Sequence, residues 1–126
     1  MSRASHKILL VDDEPELRES IVDYLGRDGH HVTEASCGRD AIELLGHDHM
    51  DLVITDVRMV GGGGIELLKE IGKMPPPRPE VILISGFFDI SEVEARNLGA
   101  AALLQKPFDL SAVSIVIDGL GTGNKS

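Results

Sequence analysis

Five short aliphatic runs, each followed by an amphipathic stretch, constrain the fold of this 126-residue chain more than any other feature of its sequence. The runs are nearly continuous rather than alternating in hydropathy, which is typical of strands that are covered on both faces. We predict strands over Lys7–Val11, His31–Ala35, Leu52–Thr55, Val81–Ile84 and Ala101–Leu104. The stretches between them repeat apolar residues at helical spacing. We predict helices over Pro15–Arg27, Arg39–Leu45, Ile65–Ile71, Asp89–Leu98 and Asp109–Leu120.

This alternation of strands and helices predicts a single α/β domain. A repeated strand-helix order gives a parallel sheet with right-handed crossovers and with helices on both faces. The length suits one domain, whose core we place at about residues 7–120, and we expect 121–126 to be a flexible tail. Four glycines stand where predicted helices should end, as C-terminal caps do. They are Gly29, Gly46, Gly72 and Gly99.

Composition excludes several classes of function. The chain has 12 Lys and Arg against 21 Asp and Glu, a formal charge of −9, and no basic run. Direct binding to nucleic acid or to an anionic membrane surface depends on basic residues, so we expect neither partner. No apolar run approaches the roughly 20 residues that span a bilayer. The single Cys37 cannot form an internal disulfide, which favours a cytoplasmic location.

Polar side chains follow four of the predicted strands directly. Asp12 and Asp13 follow the first strand, Asp56 the third, Ser85 the fourth and Lys106, after one glutamine, the fifth. Ligands of open parallel sheets bind outside the carboxyl ends of the strands, so we expect these side chains to converge at one edge. Each residue alone has an ordinary structural interpretation, such as an acidic helix start, a cap or a turn. Their joint occurrence at one edge favours a functional site.

Three carboxylates at one edge need a compensating charge. At about 4 Å and an effective dielectric near 20, each like-charged pair costs roughly 4 kcal/mol. Mg²⁺ suits such all-oxygen sites, and Lys106 supplies a further positive charge that can contact a phosphoryl oxygen. Ser85 can donate a hydrogen bond to another such oxygen. The set fits phosphoryl transfer to a carboxylate nucleophile.

Four motifs in order carry a family resemblance. They are the opening Ile8–Pro15, the segment Ile54–Met59 around Asp56, the pair Ser85-Gly86, and Lys106-Pro107-Phe108. On these motifs the chain resembles the receiver domain of two-component response regulators, over about Lys7 to Leu120. The resemblance implies a flavodoxin-like, doubly wound sheet of five parallel strands in the order 2-1-3-4-5, with five helices.

The resemblance also implies a role for each site residue. Asp56 would be the phosphoacceptor, which takes a phosphoryl group from a histidine kinase or phosphotransfer protein. Asp13 and Asp56 would bind Mg²⁺ directly together with the backbone carbonyl of Arg58, and Asp12 would act through a coordinated water.

Two further roles complete the implied set. Ser85 would be the switch hydroxyl, and Lys106 would contact the phosphoryl group and precede Pro107 in a cis peptide bond. Such a domain is a signalling phosphoacceptor and not an enzyme with a separate substrate, because it catalyses only its own phosphorylation and dephosphorylation. It controls an output domain or a downstream protein that this chain does not contain.

Two departures from the family pattern affect what the resemblance implies. Leu103 stands three residues before the lysine, where the family usually has an aromatic residue, and we hypothesise that Phe87 or Phe88 supplies the missing bulk. The segment Val60–Gly64 carries four consecutive glycines. We expect a loop there that is mobile until metal and phosphoryl group bind, because glycine loses the most conformational freedom on ordering.

Two other functions remain open from the sequence. The first is a receiver used only for docking, without phosphorylation, which Leu103 leaves possible. The second is a phosphatase of the haloacid dehalogenase type, which also uses an aspartate nucleophile on an α/β sheet. That family places a second aspartate two residues after the nucleophile of its first strand, whereas Asp12 and Asp13 are adjacent here.

Overall fold

The computed structural model describes residues 5–59, 62–86 and 89–123. Its strands are β1 (Lys7–Val11), β2 (His31–Ala35), β3 (Leu52–Asp56), β4 (Glu80–Ser85) and β5 (Ala102–Gln105). Its helices are α1 (Pro15–Arg27), α2 (Gly38–His47), α3 (Gly64–Gly72), α4 (Glu92–Asn97) and α5 (Leu110–Gly123). No helix within the described ranges is long and apolar enough to cross a membrane.

The five strands form one parallel sheet in the order β2-β1-β3-β4-β5, which confirms the predicted fold. Successive residues of a strand point to opposite faces, so each continuous apolar run supplies both sides of the sheet. Leu9, Val53 and Leu83 pack on the side of α2, α3 and α4. Ile54 and Ile82 pack on the other side, with α1 and α5. The sheet is therefore enclosed between two layers of helices, and only its edges and strand ends are open.

Helix α4 begins three residues later than predicted, because Ser91 caps it. The Ser91 Oγ accepts a hydrogen bond from the Glu94 amide at 3.1 Å, and Glu94 Oε1 accepts one from the Ser91 amide at 3.0 Å. This reciprocal pair is a capping box, which satisfies two amides at the helix start. Asp89, at which the helix was predicted to begin, accepts instead from the Gly86 amide at 2.9 Å.

The predicted helix ends are confirmed at two of the four glycines. Gly29 and Gly99 follow α1 and α4 with φ of +94° and +107°, the left-handed conformation that ends many helices. The prediction was wrong for Gly46 and Gly72, which lie inside the last turns of α2 and α3. In the last turn of α2 the amide of Asp48 still bonds to the Leu44 carbonyl at 3.0 Å, so the helix continues past its glycine.

Helix α3 begins against the end of strand β3. The Gly64 amide bonds to the Val57 carbonyl at 3.0 Å, and a Cβ at position 64 would overlap the Asp56 carbonyl oxygen. Glycine is therefore required at this position by the close approach of two backbones. Val60 and Gly61 lie outside the described residues, and the mobility of Val60–Gly64 stays a prediction.

Two other sequence-based expectations involve residues that lie outside the described ranges. Phe87 and Phe88 lie outside them, so the hypothesis that they replace an aromatic at Leu103 stays open. Leu103 itself is half-buried and packs against the α2, α3 and α4 side of the core. Helix α5 continues to Gly123, three residues into the expected tail, and residues 124–126 lie outside the description.

Candidate functional site

The parallel register places the ends of four strands at one edge of the sheet. Three sheet-like hydrogen bonds extend the ladder just beyond the strands and fix the residues that follow. The Asp12 amide bonds to Ala35 O at 3.1 Å, and the Lys106 amide bonds to Ser85 O at 2.9 Å. The Val57 amide, next to Asp56, bonds to Ile84 O at 2.8 Å. The backbone therefore determines where these side chains begin.

Asp12 is a fully buried acid with one unsatisfied oxygen. Its Oδ1 accepts a hydrogen bond from the Glu14 amide at 2.8 Å. Its Oδ2 is buried and has no hydrogen-bond partner among the described residues. Burial raises the pKa of Asp12 above 3.8, against the lowering effect of the Glu14 amide, and the charge of Asp56 raises it further. This carboxylate therefore has one oxygen to which no described group donates a hydrogen bond.

Asp56 and Lys106 form an ion pair that is buried on the acid's side. The Asp56 side chain is 6% exposed, and its Oδ2 lies 3.0 Å from Lys106 Nζ. The Asp56 Oδ1 accepts from the Arg58 amide at 3.2 Å. Lys106 Nζ also donates to Glu14 Oε1 at 3.2 Å. Burial lowers the pKa of Lys106, but the hydrogen bond and charge of Asp56, with Glu14, raise it overall above 10.5. Lys106 is therefore held as a cation.

Oxygen atoms of Asp12, Glu14 and Asp56 lie within 4.8 Å of one another. Lys106 contributes one positive charge against these three negative charges, which leaves a net of −2 (1 − 3). An all-oxygen set with this surplus, and with the unsatisfied Oδ2 of Asp12, suits a hard divalent cation. Asp13 is exposed and is not part of this group.

Ser85 lies at the same edge, with its side chain fully buried at the end of β4. Its hydroxyl donates to the backbone carbonyl of the next residue, Gly86, at 2.8 Å. The neighbouring Lys106–Pro107 peptide bond is cis, as the resemblance implies. The sequence therefore predicted correctly that Asp12, Asp56, Ser85 and Lys106 meet at one edge.

The sequence did not predict the contacts of two acidic residues near the site, Glu14 and Asp89. Glu14 was quoted only as part of the opening motif, although it lies directly after two acids and contacts Lys106. Asp89 was predicted to begin a helix, but its Oδ1 lies 2.6 Å from Arg58 Nε and its Oδ2 accepts from the Gly86 amide. Nothing in the sequence links Arg58 and Asp89, which are 31 residues apart.

The sequence matches a known protein family. The sequence model for the response regulator receiver domain matches residues 8–118. The chain belongs to this family. Response regulator receiver domains are signalling domains of two-component systems that interact with histidine kinases. The family assignment confirms the resemblance that the four motifs carried.

Individual relatives place the receiver domain in proteins of different lengths. This chain is 35% identical over 118 residues to the transcriptional regulatory protein GlrR of Escherichia coli K12. The match covers 94% of this chain and 27% of GlrR. The chain is 29% identical over 110 residues to the sporulation initiation phosphotransferase F of Bacillus subtilis, covering 86% and 88%. The chain thus spans about a quarter of GlrR and most of the Bacillus protein.

Solved structures agree with the fold. NtrX from Brucella abortus superposes with a TM-score of 0.85 at 31% identity, over 94% of this chain and 27% of that one. The receiver domain of the Francisella response regulator 1452 gives 0.86 at 27% identity, over 96% and 100%. The second structure is of a receiver domain alone, and this chain covers its whole length.

Proposed function

We propose that this receiver domain accepts a phosphoryl group on Asp56 from a histidine kinase or phosphotransfer protein, in a Mg²⁺-dependent reaction in the cytoplasm. Phosphorylation would then change its conformation and so control an output domain or a downstream protein. The observation that carries the proposal is the buried Asp56 carboxylate, which is bonded to Lys106 and lies within 4.8 Å of two further carboxylates. The domain would act on itself and on no separate substrate.

The carboxylates of Asp12, Asp13 and Asp56 and the backbone carbonyl of Arg58 would hold Mg²⁺ in this proposal. The ion would supply positive charge that reduces repulsion between the carboxylates and the incoming phosphoryl oxygens. The unsatisfied Asp12 Oδ2 and the short distance between the Asp12 and Asp56 carboxylates support this assignment. We assign Glu14 to Lys106, whose ammonium it contacts.

The transfer itself uses Asp56, Lys106 and Ser85. A carboxylate oxygen of Asp56 forms a bond to phosphorus as the phosphorus–nitrogen bond of the phosphohistidine donor breaks and neutral histidine leaves. Lys106 Nζ, already 3.0 Å from Asp56 Oδ2, would contact one phosphoryl oxygen. The Ser85 hydroxyl would turn away from the Gly86 carbonyl and donate to a second phosphoryl oxygen. Hydrolysis later returns the carboxylate and inorganic phosphate.

Intact-mass measurement tests the phosphoacceptor. The domain is incubated with Mg²⁺ and acetyl phosphate, and we expect a gain of one phosphoryl group per chain. Asp56→Asn should abolish the gain, because the amide is a poor nucleophile. Asp40→Asn, which changes an exposed aspartate on α2, should retain it. A gain that persists in Asp56→Asn would contradict the assignment, and no gain in the wild-type protein would favour the docking function instead.

Removal of Asp13 should abolish Mg²⁺ binding, whereas removal of Glu19 should not. Both residues are exposed acids near the start of the chain, but only Asp13 is assigned to the metal. At a Mg²⁺ concentration 100 times the dissociation constant, binding stabilises a folded protein by about 2.7 kcal/mol. Thermal unfolding with increasing MgCl₂ should show this rise for the wild-type protein and Glu19→Gln and no rise for Asp13→Asn. An unchanged rise in Asp13→Asn would remove this residue from the metal site.

A further inference from the structure

The loops that follow β3 and β4 are joined by one ion pair across the site. The Arg58 Nε lies 2.6 Å from Asp89 Oδ1, and the Asp89 Oδ2 accepts a hydrogen bond from the Gly86 amide at 2.9 Å. Gly86 in turn accepts the hydroxyl of Ser85 through its carbonyl. On the other side, the Arg58 backbone amide donates a hydrogen bond to Asp56 Oδ1. One arginine therefore connects the phosphoacceptor residue with the loop of the switch hydroxyl.

The two partners of this pair differ greatly in exposure. The side chain of Asp89 is 9% exposed and that of Arg58 is 80% exposed. The carboxylate is therefore fixed by the Gly86 amide, whereas the guanidinium lies in solvent and is free to change partners. An ion pair with one exposed member is weak, so a stronger anion nearby can compete for the arginine.

Phosphorylation of Asp56 would create such an anion next to Arg58. A phosphoryl group carries close to two negative charges at neutral pH and presents several acceptor oxygens. Guanidinium binds phosphate oxygens in a bidentate manner, which a single carboxylate oxygen at Nε does not provide here. The Arg58 backbone amide already donates to Asp56 Oδ1 at 3.2 Å, so its side chain begins next to the phosphoacceptor.

We propose that Asp89 holds Arg58 away from the unphosphorylated site, and that Arg58 transfers to the phosphoryl oxygens when Asp56 is phosphorylated. This inference rests on the proposed phosphorylation of Asp56 and adds a second cation, beside Lys106, to phosphoryl recognition. Asp89 is a positioning residue in this scheme, because it acts only by sequestering Arg58. The transfer also breaks the contact between Arg58 and Asp89.

The proposal predicts opposite effects for the two members of the pair. The probe is beryllofluoride, a phosphoryl analogue that binds carboxylates, titrated calorimetrically into the domain with saturating MgCl₂. Asp89→Asn should tighten binding about two- to fivefold, the scale of one exposed charge pair, because Arg58 is released to the ligand. Arg58→Gln should weaken it by a similar factor, and Arg58→Lys should remain nearer to the wild-type affinity.

The double variant separates sequestration from general charge effects. In the Arg58→Gln background, Asp89→Asn should have no further effect, because it has no arginine to release. If Asp89→Asn still tightens binding in that background, its charge acts directly and the proposal is overturned. If both single variants change affinity in the same direction, the pair is only structural and the proposal is also overturned.

A remote ion pair provides the matched control. Arg27 and Asp23 on α1 lie 2.7 Å apart and are exposed, so Arg27→Gln and Asp23→Asn should leave the beryllofluoride affinity unchanged. Thermal unfolding of every variant establishes that it is folded. If the wild-type domain binds no beryllofluoride and gains no mass from acetyl phosphate, the proposed phosphorylation itself fails. If it does both and the opposite signs are absent, only the role of Arg58 and Asp89 fails.

Discussion

A Lys106→Met variant is expected to unfold well below the wild-type temperature and to accept phosphoryl groups far more slowly. Without this ammonium, Asp56 is left as a buried carboxylate beside Asp12, and the Arg58 amide is its one remaining donor among the described residues. Removing one partner of a largely buried ion pair costs about 3 kcal/mol. For a domain of this length that corresponds to a loss of roughly 10 °C in Tm. The rate from acetyl phosphate should fall about a hundredfold, as when one preorganised donor is removed from a charged transition state.

Lys7→Met is the matched control for Lys106→Met. Lys7 makes an ion pair of 2.8 Å with Asp48, but both side chains are about half exposed. Such a pair contributes less than about 1 kcal/mol, so this variant should remain close to the wild-type protein. Equal stability of the two variants would show that Lys106 does not compensate the carboxylates.

The pH dependence of the Lys106 contribution follows from its pKa, which the folded protein raises above 10.5. A raised pKa means that the folded state binds this proton more tightly than the unfolded state does. The contribution is therefore fully present below pH 10.5 and is lost as pH rises through the higher folded pKa. Urea unfolding at pH 7 and pH 9 should give the same difference between the wild-type protein and Lys106→Met.

In contrast to Lys106→Met, Asp12→Asn is expected to stabilise the metal-free protein. It should also abolish metal binding. The asparagine can keep the acceptor for the Glu14 amide, and it removes a buried negative charge that lies beside Asp56. Removal of this poorly compensated buried charge contributes about 1–3 kcal/mol, and the loss of repulsion with Asp56 acts in the same direction. In the absence of metal the variant should therefore unfold roughly 4–10 °C higher. With MgCl₂ the wild-type protein should gain stability and the variant should not.

The gain from Asp12→Asn has a defined pH window. The pKa of Asp12 is raised above 3.8, mainly by burial, so the folded protein binds this proton more tightly than the unfolded chain does. Ionised Asp12 therefore destabilises the metal-free protein above its folded pKa, and this cost disappears as pH falls below 3.8. Unfolding measured at pH 7 and near pH 3.5 should show the gain only at the higher pH. A lower Tm for Asp12→Asn at pH 7 without metal would contradict this account.

Most of the site could be predicted because its residues are attached directly to the sheet. Asp12, Asp56, Ser85 and Lys106 each lie at or just after the end of a strand, and a parallel ladder brings such positions to one edge. Their convergence depends on backbone register alone. The family resemblance then supplied the order of the strands, which the alternation of elements does not determine.

The contacts of longer side chains could not be predicted. The pairing of Arg58 with Asp89, and of Glu14 with Lys106, depends on loop conformations that no local pattern encodes. The helix ends show the same limit, because Gly46 is compatible with either a cap or a last helical turn. Local sequence therefore determined the elements and their order, while tertiary contacts determined the charge pairing across the site.

The contact between Gly64 and the Asp56 carbonyl also limits how this domain can be recombined with others. Because the start of α3 touches the backbone of Asp56, β3 (Leu52–Asp56) and α3 (Gly64–Gly72) pack as one structural block. A chimera that exchanges α3 between two receivers should carry β3 with it, since a junction between them would combine two surfaces that were fitted separately. Crossover points before Leu52 or after Gly72 keep the block intact.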